Sequence, residues 1–106
     1  MSNERRQRLP NRRATEIREF EIGGFKYIAC VGKFADGSPA EIFINTKQTG
    51  SELERSTRDA SVLASIGLQF GIPLEVLRKA LSRKANGEPD SALCFMLDEL
   101  AKESSR

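Results

Sequence analysis

Residues 59–83 read DASVLASIGLQFGIPLEVLRKALSR, and this stretch decides the fold. It joins two helical patterns through Phe70-Gly71-Ile72-Pro73-Leu74. Glycine accepts the left-handed conformation that closes a helix, and proline fits the first turn of the next, so Gly71 stops one helix and Pro73 starts another. The first helix traces back to Ser51, which has the capping-box spacing with Glu54. From there to about Phe70, residues Leu53, Ala60, Leu63, Gly67 and Phe70 form one stripe, widened by Val62 and Ile66. The second half is apolar around most of its circumference, which predicts a central helix lying against a sheet. The second helix is expected from Pro73 to about Ser82, with Leu74, Leu77 and Leu81 turned inward.

Upstream, apolar residues alternate. Phe20 and Ile22 share a face, and Gly23-Gly24 follows. In residues 25–33, Phe25, Tyr27, Ala29 and Val31 point one way while Lys26, Ile28, Cys30 and Gly32 point the other. Period-two alternation marks half-buried strands, and a glycine pair between two of them suits a tight hairpin. Asp36-Gly37 signals a second hairpin, after which Ile42 and Ile44 lie opposite Glu41, Phe43 and Asn45. Downstream, residues 83–89 read as a loop. Asp90 or Ser91 then caps a last helix with the core stripe Leu93, Met96, Leu97 and Leu100, fraying from Lys102. The prediction is an α+β fold in two layers: a three-stranded antiparallel meander packed on a long central helix plus two shorter helices.

The 106 residues suffice for one domain with a modest core. Charge is uneven: residues 1–18 carry six arginines and two glutamates, a balance of +4, in a chain whose net charge is +2. The body is therefore not basic, and the positive charge sits on a tail. Residues 1–15 lack a core-forming pattern and are expected to form a disordered arm, leaving residues 16–102 as the domain. No apolar run approaches the roughly 20 residues that span a bilayer, so no membrane is expected as a partner. With no apolar N-terminal segment and only two cysteines, the expected setting is the reduced cytoplasm.

The inventory for catalysis is thin. There is no histidine, so Ser–His, Cys–His and histidine–metal arrangements are excluded. Cys30 and Cys94 stand 64 positions apart, read as small core residues, and lack the spacing of a metal site. Neither a catalytic residue, a metal ligand nor a cofactor is predicted. Glu52/Glu54 and Asp98/Glu99 point to different sides of their helices and read as solvated charge. The candidate ligand-binding loop is Lys47-Gln48-Thr49-Gly50-Ser51. A Gly-Ser turn opening a helix offers free backbone N–H groups, and Lys47 adds a cation, so Lys47, Gly50 and Ser51 form a candidate anion site. The bland alternative is a plain capped helix start. Residues 66–83 also fit a helix-turn-helix, with the basic arm and Arg78/Lys79 as its support. Its reading helix would open with Pro73, Leu74, Glu75 and Val76, which lack base-reading side chains and bring a carboxylate to the phosphates. Nucleic acid is therefore the rival reading, and a helical hairpin covering a sheet is the expectation.

Several runs, taken in order, carry a resemblance. Gly23-Gly24-Phe25-Lys26-Tyr27, Val31-Gly32, Asp36-Gly37, Glu41-Ile42-Phe43-Ile44, Lys47, Gly50-Ser51, Asp59-Ala60-Ser61-Val62-Leu63-Ala64-Ser65 and Gln69-Phe70-Gly71-Ile72-Pro73-Leu74-Glu75 resemble the TSCPD domain. That family is known as a C-terminal piece of adenosylcobalamin-dependent ribonucleotide reductases and as small stand-alone proteins, and the similarity runs from about Leu9 to Leu100. The family's Thr-Ser-Cys-Pro-Asp segment is missing; the nearest stretch is Glu88-Pro89-Asp90-Ser91-Ala92. The family's cysteines near the hairpin and after the last helix are missing too, so no thiol or metal role carries over. The resemblance implies a ribonucleotide reductase-related accessory or interaction module in deoxyribonucleotide synthesis. It leaves three partners open: a reductase catalytic subunit, a nucleotide, or a second copy of the chain as a homo-oligomer. The ribonucleoside-diphosphate reductase reaction itself lies beyond this chain alone, because radical reduction needs a cofactor, a thiyl cysteine and a reducing dithiol.

Overall fold

The computed structural model describes residues 6, 7, 9, 15–47 and 50–104. Most of the Arg-rich arm lies outside the described residues. Three strands, β1 (Thr15–Ile22), β2 (Phe25–Lys33) and β3 (Pro39–Thr46), precede three helices, α1 (Glu52–Gln69), α2 (Leu74–Ala80) and α3 (Ala92–Ser104). The sheet is an antiparallel meander in the order β1-β2-β3. Its first turn is set by Gly23 and Gly24, both at positive φ (61° and 83°), the geometry of the tight hairpin turn that follows strand twist. The expected α+β class, the meander and the three helices are all present.

One face of the sheet is dry. Tyr27, Ala29, Val31, Ile42 and Ile44 are buried there, and α3 supplies Leu93, Met96, Leu97 and Leu100 to the same core. Phe20 stacks on Tyr27 and on Phe95, with ring centroids 5.4 and 4.9 Å apart, and so ties β1 to α3. Arg18 on β1 donates to both carboxylate oxygens of Glu103, at 2.5 and 2.7 Å. That ion pair explains why α3 continues to Ser104 instead of fraying from Lys102.

The placement of α1 differs from the expectation of a central helix on an apolar stripe. Its buried residues include Thr57, Ser61, Ala64, Ser65, Leu68 and Gln69, whereas Leu63 is 70% exposed and Val62 and Phe70 are also exposed. The physical reason is the edge of the sheet. β3 is an outer strand, and its unpaired backbone groups face α1. Ile42 N–H donates to Ser65 Oγ (2.8 Å). The Ser65 hydroxyl hydrogen lies between Ile42 O (3.0 Å) and Ser61 O (2.8 Å). Gln69 Nε2 donates to Ala40 O at 3.1 Å. A buried strand edge must have its backbone groups satisfied, so the helix that seals it presents hydroxyl and amide side chains inward. Its apolar residues are left facing outward.

α1 ends as the Gly-x-Pro pattern predicts. Gly71 has φ +93°, Ile72 N–H bonds Gly67 O (2.9 Å) and Gly71 N–H bonds Leu68 O (3.1 Å), the two bonds of a Schellman cap. No atom lies within 4 Å of where a Cβ at Gly71 would sit, so a side chain there is strained by the backbone alone. Gly71→Val should therefore lower unfolding free energy by about 1–2 kcal/mol in urea titrations, because a β-branched residue is poorly tolerated at positive φ. α2 is shallow: Leu74 and Leu77 are half-buried against the core rather than fully buried.

Candidate functional site

The loop that opens α1 is built as a cap. Ser51 is the N-cap, and its Oγ accepts from Glu54 N–H at 3.1 Å. Glu54 reaches back, and its Oε1 accepts from Gly50 N–H at 2.8 Å. The capping box expected from Ser51 and Glu54 is thus formed, with the return bond on Gly50. Glu54 occupies a donor that the candidate anion site would use, so an external phosphate at Gly50 and Ser51 has to compete with a carboxylate held by its own helix. Lys47 is placed elsewhere: with Lys26, Glu19 and Glu21 it lines a shallow cleft at the hairpin end of the sheet.

The arginine proposed as a nucleic-acid contact is engaged inside the protein. Arg78 Nε donates to Asp98 Oδ1 (2.8 Å), and its Nη1 donates to Glu75 Oε1. Arg83 adds two bonds to the same carboxylate, at 2.7 and 2.8 Å. Asp98, 14% exposed at its side chain, thus pins both α2 and the following loop to α3. The Arg83 guanidinium, and Arg78 beside it, hold the Asp98 carboxyl down at about 2. With a folded value below the unfolded one, this contribution is complete above the ordinary carboxylate range and disappears as pH falls through about 2. Wild type should exceed Asp98→Asn by about 1–2 kcal/mol at neutral pH, allowing for solvent screening. The gap should shrink steadily below pH 4 in urea unfolding, since only the wild type carries the titrating group. α2, at seven residues, with its arginine in this clamp, is a brace rather than a reading helix.

The cysteines do not come together as a site. Cys94 is fully buried in α3, and burial pushes its thiol pKa up, away from the reactive thiolate. Cys30 is only partly buried, on the sheet face away from the core. Among the described residues no group of three or more cysteines and carboxylates is placed to hold a metal ion. No described helix is long and apolar enough to cross a membrane.

One uncommitted surface is apolar. Val62, Leu63 and Phe70 on α1, Ile72 in the turn and Val76 on α2 are all exposed. Beside them runs a groove of about 240 Å³, walled by Ala60, Leu63, Leu77, Leu81, Leu93 and Leu97. Gly67 sits beneath Ile72, whose Cδ1 lies 3.2 Å from where a Cβ at Gly67 would be, so glycine lets the turn close over the helix. This surface was not singled out from the sequence. Its signal was present, however, in the apolarity of α1 around most of its circumference.

The TSCPD domain model matches residues 4–102. The chain belongs to the TSCPD domain family. Similar proteins include the vitamin B12-dependent ribonucleotide reductase of Rhodopirellula baltica, 38% identical over 73 residues, which are 69% of this chain and 7% of that protein. The namesake enzyme of Agrobacterium fabrum is 37% identical over 70 residues, 66% of this chain and 6% of the enzyme. That of Streptantibioticus cattleyicolor is 33% identical over 70 residues, 66% of this chain and 12% of the enzyme. This TSCPD domain thus spans only a small fraction of the length of the relatives it matches. No solved structure matches it. The relationship supports the resemblance read from the sequence and does not favour the nucleic-acid alternative.

Proposed function

We propose that this TSCPD domain is a non-catalytic accessory module in deoxyribonucleotide synthesis, working in the cytoplasm by docking on a ribonucleotide reductase catalytic chain. The observation that carries this reading is the uncovered apolar surface of α1 and α2. Exposed apolar residues on a helix ordinarily find a cover, and the apolar second half of α1 is enclosed on one side only. In the relatives the matched segment is part of a chain many times its length, which supports a reductase chain as the partner of this reading. Contiguous exposed apolar area of this kind marks protein contact surfaces. The chain's own chemistry fits a binding role: one thiol is enclosed, the other stands alone, and the arginine–aspartate clamp is internal.

The test is affinity capture. Tagged protein is used to retrieve partners from lysate of the native host, scored by mass spectrometry for ribonucleotide reductase subunits, alongside a Leu63→Glu variant. Recovery of a reductase subunit by wild type, reduced at least about tenfold by Leu63→Glu, supports the reading, because a charge at a desolvated apolar contact is costly. Absence of every reductase subunit from the wild-type capture overturns it.

A further inference from the structure

The sheet has a second face, away from α3, and it is not the polar face that an antiparallel sheet turns to water. Ile17, Cys30 and Phe43 are partners in one row straight across the three strands. Ile17 is 71% exposed and Phe43 is 40% exposed. The next row is Glu19, Ile28 and Asn45, and the row after it brings Glu21 beside Lys26. Lys47 completes the hairpin end, where it shares an open cleft of about 290 Å³ with Glu19, Glu21 and Lys26. Among the described residues none of these four charges is in an ion pair.

The distribution of charge on this face is one-sided. Of the exposed charges, Glu19 and Glu21 are on β1, and Lys26 and Lys47 are on β2 and just beyond β3, while Glu41 of β3, on the same face beside Gly32, is buried. At the two outer strands such a pattern is its own complement. A second copy turned over about an axis running along β2 lays β1 of each chain on β3 of the other. Glu21 then meets Lys47 of the second copy, Ile17 meets its Phe43, and Cys30 and Ile28 meet their own counterparts on the axis. Lys26, close to the axis, also meets its own counterpart, and Glu21 of its own sheet lies beside it to offset that like charge. Two sheets stacked this way enclose the apolar rows as the middle of a sandwich about 10 Å deep, with their strands within about 30° of alignment. Independently of the reductase reading, we propose that this chain pairs with a second copy of itself through the open sheet face, with Ile17, Cys30 and Phe43 at the centre and Glu21–Lys47 pairs at the rim.

The experiment is a charge swap read by sedimentation equilibrium on the full chain. Wild type should show twice the chain mass at concentrations on the order of tens of micromolar. Glu21→Lys and Lys47→Glu should each weaken the dimer at least about tenfold by setting like charges opposite one another, and the double variant should return to within about threefold of wild type. Both positions are exposed, and an unchanged far-ultraviolet circular-dichroism spectrum confirms that each variant is folded. In parallel, Cys30 should be protected from N-ethylmaleimide at concentrations where the dimer forms and should react on dilution to the monomer, and Cys30→Ser should take up no label, since Cys94 is enclosed. Leu63→Glu should leave the dimer intact, which separates this surface from the α1–α2 surface. A monomer throughout, a double variant no better than the singles, or a Cys30 that reacts equally fast at dimer and monomer concentrations overturns the proposal.

Discussion

Replacing Ser65 with valine should destabilise the protein by about 2–3 kcal/mol, while replacing Leu63 with serine should change its stability by less than about 0.5 kcal/mol. Ser65 is 3% exposed, and its hydroxyl is the acceptor for Ile42 N–H. Valine is close in size but cannot accept, so the amide of a buried strand edge loses its partner, and the desolvation cost of that group appears in full. Leu63 gives up little, since most of its side chain already faces solvent. Urea titration of the two variants beside wild type is the measurement. A larger loss at Leu63 than at Ser65 would mean that α1 is rotated from the orientation described here.

Leu97→Ala should have the largest effect, about 3 kcal/mol or more. Leu97 is fully buried in the core cluster that joins α3 to Val31, Ile42 and Ile44. In a domain of this size the total stability is on the order of 5–10 kcal/mol, so the variant should melt well below wild type and show a steep drop in its urea midpoint. Cys94, one turn earlier and equally buried, offers a milder comparison. Cys94→Ala removes only a sulfur and should lose about 1 kcal/mol.

The elements were legible because their signals are local. The Gly23-Gly24 turn, the strict alternation of residues 25–33, the Ser51–Glu54 box and the Gly71 cap each follow from a few neighbouring side chains, and each is present. The orientation of α1 was not legible from apolarity, because its inward face answers to backbone groups on β3 rather than to a greasy core. A different pattern did carry it: Thr57, Ser61, Ser65 and Gln69 recur every four residues, a polar row along one side of an otherwise apolar helix. The candidate anion loop was legible as a cap, and Glu54's return bond to Gly50 is as local as the rest of that cap, but the place of Lys47 beside Glu19, Glu21 and Lys26 depends on tertiary geometry. So does the convergence of Arg78 and Arg83 on Asp98, whose partners are 20 and 15 residues away.

The sealing of β3 has one more consequence. Strand-by-strand growth of a sheet into a filament requires each added molecule to offer two open sides, one to join by and one to extend from. Here α1 side chains occupy one side, leaving β1 as the one lateral opening of this sheet among the described residues. A molecule with a single opening can end a stack but cannot continue it. The native state thus has a lateral valence of one, and fibrous polymerisation would first have to pull α1 away from β3.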